Sequence, residues 1–131
     1  MVTDRVGDFI IQLQNAAMIG KPEVSVAYSG HLLAIAKKLK ELGFVTEVSV
    51  KEDGAKKAVV TTLAYDERGH AKLRGVKRIS KPGRRLYVGA TGAHTVKGAT
   101  GARLISTPSG VLSDREARKA GVGGEDLFEI W

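Results

Sequence analysis

Small hydroxyl side chains gather near the C-terminal end of this 131-residue chain, where residues 106–110 read STPSG. A hydroxyl both donates and accepts hydrogen bonds, so Ser106, Thr107 and Ser109 could recognise polar groups of a ligand. Gly110 adds a position at which the backbone can approach that ligand closely. The apolar run at 102–105 predicts a buried strand just before them. The pattern therefore indicates a recognition loop at the end of a strand, not a catalytic loop.

A capping box follows this loop. Ser113 stands three residues before Glu116, so its hydroxyl can accept from the N–H of Glu116 while the carboxylate bonds back to the N–H of Ser113. This pair predicts the start of a short helix, and Gly121 predicts its end. We therefore expect residues 106–110 to be held between two ordered elements.

Basic residues are concentrated in the second half of the chain. The sequence has 21 Lys and Arg against 14 Asp and Glu, a net charge of +7. Residues 1–66 hold eight of each sign, whereas residues 67–131 hold thirteen basic and six acidic residues. No acidic residue occurs from 68 to 103. The ten cations of that segment are Arg68, Lys72, Arg74, Lys77, Arg78, Lys81, Arg84, Arg85, Lys97 and Arg103.

This concentration of positive charge suits a phosphate-rich ligand. A guanidinium can pair two phosphate oxygens at once, and the counterions released from a nucleic acid supply affinity that falls as salt rises. A solvated basic surface is the plainer interpretation of a lone charge run. The absence of acids over so long a segment favours polyanion binding instead.

Composition and spacing argue against several other functions. With no cysteine, the chain has neither disulfides nor thiolate metal sites. His31, His70 and His94 are too scattered to predict a metal site or a catalytic base. No apolar run approaches the roughly 20 residues of a membrane span, and the start lacks a signal-peptide pattern. We expect a cytoplasmic protein that is not an enzyme, needs no cofactor, and binds neither a membrane nor a small-molecule substrate.

Hydrophobic periodicity predicts the elements of the first half. Apolar residues at helical spacing indicate a helix over 4–18, with Asp4 or Thr3 as N-cap, and a second helix over 30–42 that ends at Gly43. Three strands are predicted, at residues 23–27, 44–51 and 56–65. The order helix-strand-helix-strand-strand describes a small α+β unit.

A turn over 66–71 predicts the boundary between two subdomains, residues 1–66 and residues 67–131. The second is expected to be basic and mostly β, with a short helix over 114–120. Its strands are predicted at residues 73–79, 86–88, 102–105 and 125–131. The glycine-rich stretch 89–101 is interpreted as a connection between them. The predicted fold class is α+β, built from these two small subdomains.

Two long strings carry a resemblance to a known family. GVKRISKPGRRLYVG at 75–89 and STPSGVLSDREARKAGVGGE at 106–125 resemble, in order and spacing, bacterial ribosomal protein S8 of the small subunit. DRVGDFIIQLQNA at 4–16 is similar to that family's opening helix, and KKLKELGFV at 37–45 to the end of its second helix. The resemblance extends over nearly the whole chain.

The resemblance implies a two-part protein that binds the central domain of small-subunit (16S) rRNA directly and helps its assembly. It also implies contacts with neighbouring small-subunit ribosomal proteins and, as in some family members, with the protein's own mRNA. The loop at 106–110 would meet a bulged RNA helix, whose bases and 2′-hydroxyls are accessible, whereas a regular A-form major groove is too narrow. The residues expected to bind RNA are Ser106, Thr107, Ser109, Gly110, Tyr87, Lys77, Arg78, Lys81, Arg84, Arg85 and Glu125.

These residues are expected to divide the work, since phosphate contacts position a nucleic acid and base contacts specify it. The hydroxyls of residues 106–109 would recognise particular bases, and the cations at 77–85 would bind phosphates and so position the RNA. Glu125 would accept from a base amino group or, alternatively, pair with Arg115 or Arg118. Tyr87 would stack on a base or simply form part of a core edge.

The chain also departs from the family pattern. Gln12 and Gln14 replace arginines usual in the opening helix, which removes two potential phosphate contacts. Pro108 replaces a serine, and Ser109 stands where a lysine is often found. The alternative function is general DNA or RNA binding through the basic half, with the helix at 114–120 in a major groove.

Overall fold

A computed structural model describes residues 4–89 and 101–131 of the chain. These residues form three helices and two antiparallel sheets, which confirms the predicted α+β class. They make up two compact units, residues 8–74 and residues 4–7 with 75–89 and 101–131. The connection predicted at 89–101 lies, apart from its ends, outside the described residues.

The first unit has the predicted order of elements. They are α1 (Arg5–Ile19), β1 (Glu23–Ala27), α2 (Gly30–Leu42), β2 (Val45–Asp53) and β3 (Lys56–Leu63). The strands form one sheet in the order β1-β3-β2, so β1 lies at an edge. One apolar face of α1 is completely buried, and it carries Phe9, Ile10 and Leu13 at helical spacing. Burial of this face stabilises the helix.

Local capping groups set the ends of the helices as the sequence predicts. The carboxylate of Asp4 accepts from the N–H of Gly7 at the start of α1, at 2.9 Å. Ser29 accepts from the N–H of Leu32 at the start of α2, and the N–H of Gly43 bonds to carbonyls of its last turn. These bonds satisfy backbone groups that have no partner inside the helix.

Residues 64–74 complete the first unit. Tyr65 and Ala71 form an antiparallel bridge, and the N–H of Lys72 donates to the carbonyl of Ala64 at 2.9 Å. Leu73 is only 2% exposed, which explains why this segment packs with the residues before it. Residues 67–74 thus lie in the first unit, and a division into folding subdomains at residue 66 stays a prediction.

The second unit is built around its last strand. Strand β8 (Gly124–Ile130) pairs antiparallel with β4 (Val76–Arg78), β5 (Tyr87–Val88) and β6 (Ala102–Thr107). Strand β7 (Gly110–Ser113) extends the sheet beyond β6, and α3 (Asp114–Ala120) follows directly. The predicted capping box is present at the start of α3, and Gly121 ends the helix.

The register of this sheet assigns side chains to two faces, because residues directly opposite one another point the same way. Phe128 lies opposite Leu104, and Ile130 shares their face; all three are completely buried. Glu129 lies opposite Arg103 on the other face, where the two form an ion pair. The register shifts between Leu104 and Ile105, where β8 has the extra residue Leu127, so Glu125 falls on the Phe128 face.

Candidate nucleic-acid interface

The predicted recognition loop is a tight β-hairpin. Strand β6 runs to Thr107, two residues further than predicted, and β7 begins at Gly110, so only Pro108 and Ser109 form the turn. The Thr107 hydroxyl donates to the Gly110 carbonyl at 2.8 Å and accepts from the Ser109 N–H at 3.1 Å. Thr107 is only 9% exposed. Its hydroxyl therefore holds the turn together from inside.

Each turn residue suits its position. Gly110 has φ +114°, which favours glycine, and no other residue type in the described part of the chain has a positive φ. Ser109 therefore has a negative φ, and with Pro108 before it these two residues suit a type I turn. Because Pro108 already has the φ that such a turn requires, its ring reduces the entropy lost on ordering the hairpin.

Three predicted site residues form a row across the sheet. Tyr87 of β5 lies opposite Glu125 of β8, and Glu125 lies opposite Ser106 of β6. The three side chains therefore share one face, an arrangement that we call the Tyr87–Glu125–Ser106 row. Tyr87 is 73% exposed, so its ring is available to stack on a planar group. The row combines an aromatic face, a carboxylate and a hydroxyl.

The carboxylate at the centre of the row is fixed by two donors. Oε2 of Glu125 accepts from the Ser80 hydroxyl at 2.6 Å and from the Arg85 guanidinium at 2.9 Å. Ser80 is completely buried and also accepts from the N–H of Leu86 at 3.2 Å. Ser80 was not among the predicted site residues; the sequence marks it only as the start of a Pro-Gly turn, with no sign of its bond to Glu125. The expected structural partners of Glu125 were Arg115 or Arg118, whereas the structure pairs it with Arg85.

The environment of Glu125 predicts an acid-sensitive site. Burial would raise the pKa of Glu125, but the hydrogen bonds from Ser80 and Arg85, with the charges of Arg85 and Arg78, hold that pKa below its ordinary value. A carboxyl whose pKa is lowered in the folded state contributes stability that is present above its unfolded pKa and is lost as pH falls through the folded pKa. We expect the free energy of unfolding to fall below about pH 4.

Denaturant unfolding of wild type and Glu125→Gln between pH 3 and pH 7 checks this prediction. The variant should be less stable than wild type at pH 7, and the difference should shrink in acid. Glu23→Gln removes the same charge from an exposed position on β1 and serves as the control. An unchanged gap between Glu125→Gln and wild type across the range would contradict the prediction.

The predicted cations fall into different settings. Lys81 and Arg84 are exposed at the ends of a four-residue turn that their backbone groups close. Neither side chain forms an ion pair with any residue that the structure describes. Arg85 is about half exposed while it pairs with Glu125. The turn therefore presents positive charge next to the row.

The other two cations add no exposed charge to the face that carries the row. Lys77 lies opposite Glu129, on the face away from the row, and is exposed. The guanidinium of Arg78 is largely buried, bonding to the carboxylate of Asp4 at 3.1 Å and to the Leu127 carbonyl at 2.7 Å. Arg78 therefore stabilises the second unit, and the charge that faces solvent comes from the turn at 81–85.

Other kinds of site find no support among residues 4–89 and 101–131. No three acidic or histidine side chains in this part of the chain come together as metal ligands. None of the helices described is long and apolar enough to cross a membrane.

The sequence is similar to known proteins over its whole length. Residues 4–131 match the sequence profile of the family described as "Ribosomal protein S8". "Small ribosomal subunit protein uS8" of Helicobacter pylori (strain G27) is 39% identical over 131 residues, covering all of both chains. Proteins of the same name from Helicobacter acinonychis and Solibacter usitatus are each 37% identical over the full length of both chains. The chain belongs to the ribosomal protein S8 family.

Proposed function

We propose that this protein is a component of the small ribosomal subunit that binds the central domain of 16S rRNA directly and helps its assembly. The Tyr87–Glu125–Ser106 row, flanked by the hairpin at 106–110 and the basic turn at 81–85, is the observation that carries the proposal. Family membership supports the ribosomal setting, which in bacteria is cytoplasmic.

Positioning and recognition are divided between neighbouring elements. Lys81 and Arg84 bind phosphates and set the orientation of the RNA. Ser106 and Ser109 then bond to bases or 2′-hydroxyls in a bulged segment, where these groups are accessible. The backbone at Gly110 can approach the RNA closely because no side chain stands in the way.

Glu125 favours recognition of a base over simple attraction to phosphate. A carboxylate at the centre of a basic face repels phosphate, but it is a good acceptor for an amino group on an exposed base. Ser80 and Arg85 hold it in one position before the RNA arrives, so little entropy is lost on binding. Tyr87 offers its exposed ring for stacking beside this acceptor.

General binding of duplex DNA is the second candidate function. Helix α3 carries Arg115, Arg118 and Lys119, but it is only seven residues long and Ala117 is buried against Ile105. Arg118 also pairs with Asp114 at 3.6 Å. A helix so short and so anchored is a poor candidate for a major groove, which leaves RNA as the favoured ligand.

The test is the affinity of the full-length protein for a central-domain rRNA fragment that contains the bulged helix. We expect Thr107→Ala to weaken binding by about 1 kcal/mol or more, because the turn loses both bonds of its internal hydroxyl. Thr107→Ser keeps the hydroxyl and is the matched control. Measurements at two salt concentrations, with duplex DNA as competitor, distinguish specific recognition of the RNA from general electrostatic attraction.

Two results bear directly on this mechanism. Binding that resists duplex DNA, and that weakens in Thr107→Ala but not in Thr107→Ser, supports it. Equal affinity for RNA and DNA, unaffected by either substitution, would reduce the protein to a nonspecific polycation.

Two further partners belong to this proposal. Neighbouring small-subunit ribosomal proteins are expected to contact the chain once the RNA is bound. Binding to its own mRNA would use the same row, so an mRNA segment should compete with the rRNA fragment in the assay above. An mRNA without a mimic of the ribosomal site, or one that fails to compete, would exclude this regulatory role.

A further inference from the structure

A groove in the first unit lies between α1 and the edge strand β1. It holds a cavity of about 300 Å³, at the lower end of the range for ligand pockets. Both elements and the turn between them contribute to its walls. The lining residues are Gln12, Asn15, Ala16, Ile19, Lys21, Val24 and Ser25. All of them belong to the first unit, whereas the proposed RNA-binding residues belong to the second.

The edge of β1 presents unpaired backbone groups to this groove. Pro22 and Tyr28 bond to β3, through the Pro22 carbonyl and the Tyr28 N–H. Backbone groups alternate in direction along a strand, so those of Glu23, Ser25 and Ala27 point away from β3. Among the described residues no group bonds to these outward donors and acceptors. Such an edge can accept another strand.

Helix α1, which forms one wall of the groove, has exposed aliphatic side chains, and Glu23 on β1 is an exposed acid next to the lining. On α1, Met18 is 77% exposed, Ile19 is 78% exposed and Ile11 is 49% exposed. No Lys or Arg occurs from residue 6 to residue 20. Exposed aliphatic side chains of this kind mark protein contacts, and the lack of cations disfavours a nucleic acid. Lys21 is the one charged residue in the lining.

We propose that this groove binds an extended peptide segment of a partner protein by adding a strand to β1. Peptides bind in this way where an unpaired strand edge lies beside a pocket, because the edge supplies backbone bonds and the pocket selects a side chain. The bound segment carries an aliphatic side chain that fills the cavity, between Ala16, Ile19 and Val24. It also carries a carboxylate that pairs with Lys21, the one charged side chain in the lining.

The groove is formed before any partner arrives. The Tyr65 hydroxyl donates to the Lys21 carbonyl at 2.6 Å, and the Lys21 N–H donates to the Ala16 carbonyl at 2.9 Å. These bonds fix the turn that joins α1 to β1. The exposed amides of Gln12 and Asn15 offer further donors and acceptors to the peptide backbone. A rigid groove of this kind loses little entropy on binding.

Selection from a displayed library of random nonapeptides against the full-length protein tests the proposal. We expect enriched sequences with an aliphatic residue close to an acidic one. Ser25→Pro removes the outward N–H without touching the ladder to β3, and an edge strand tolerates proline there. Ser25→Pro should lower the affinity for the selected peptide by about ten-fold or more. Ser25→Ala, which keeps that N–H, should leave this affinity nearly unchanged.

NMR spectra of both variants confirm that they fold and locate the bound peptide. Ile19→Asp, at an exposed position, should also abolish binding. Failure to enrich any sequence, peptide binding that Ser25→Pro leaves intact, an RNA oligonucleotide in the groove, or pairing of two copies of the chain through β1 would each overturn the proposal. Affinity for the rRNA fragment should be the same in all three variants, because the proposal does not rest on RNA binding.

Discussion

Replacing Gly124 with alanine is expected to destabilise the second unit strongly. An alanine Cβ at this position would lie 2.0 Å from the carbonyl oxygen of Ser106 and 2.8 Å from its carbonyl carbon. Both atoms belong to the backbone of β6, which cannot withdraw without breaking its pairing with β8. Overpacking that side chains can relieve costs about 1–3 kcal/mol. A clash with backbone atoms should lower the free energy of unfolding by more than about 3 kcal/mol.

Urea unfolding of the full-length protein measures this effect. Gly30→Ala is the matched control, because an alanine Cβ at Gly30 would meet no atom within 4 Å. The control should unfold at nearly the wild-type urea concentration. A wild-type midpoint for Gly124→Ala would show that β6 and β8 do not approach each other as described.

The double substitution Lys81→Gln with Arg84→Gln is expected to have the largest effect on RNA binding while leaving the fold intact. Both side chains are exposed, and the turn is closed by backbone bonds that glutamine retains. Loss of two phosphate contacts should lower the magnitude of the slope of log affinity against log salt by roughly 1.4 to 1.8. Affinity at moderate salt should fall by about ten-fold or more.

A second double variant distinguishes the effect of lower net charge from the effect of removing cations at the turn. Lys51→Gln with Lys56→Gln removes the same net charge from exposed positions on β2 and β3 in the first unit. If the turn binds phosphate, this control should change the salt slope far less. Equal changes in the two double variants would contradict the assignment of Lys81 and Arg84.

Features that depend on neighbouring residues were predictable from the sequence. The capping box of Ser113 and Glu116 and the end of α3 at Gly121 occur where expected, because each needs only a few residues in a row. The bounds of β1 and α2 were likewise predicted from periodicity and turn residues. Strand lengths in the second unit were less accurate, since pairing partners far along the chain decide where a strand stops.

Features that depend on distant residues were not predictable. Nothing in the sequence indicated that Ser80 would bond to Glu125, 45 residues away, or that Arg78 would be buried against Asp4, 74 residues away. The close approach of Gly124 to β6 was also not predictable from the sequence. Sequence placed Tyr87, Glu125 and Ser106 in the candidate site, but only the register of three strands brings them into one row.

The position of β8 has a consequence for the protein while it is being synthesised. Its partners β4, β5 and β6 all precede it in the chain. A nascent chain therefore cannot complete the second sheet until β8 has been synthesised, because this strand is made after all of its partners. The first unit, whose residues 8–74 are made earlier, can fold in the meantime. The Tyr87–Glu125–Ser106 row forms only when β8 joins the sheet, so a shorter nascent chain lacks it.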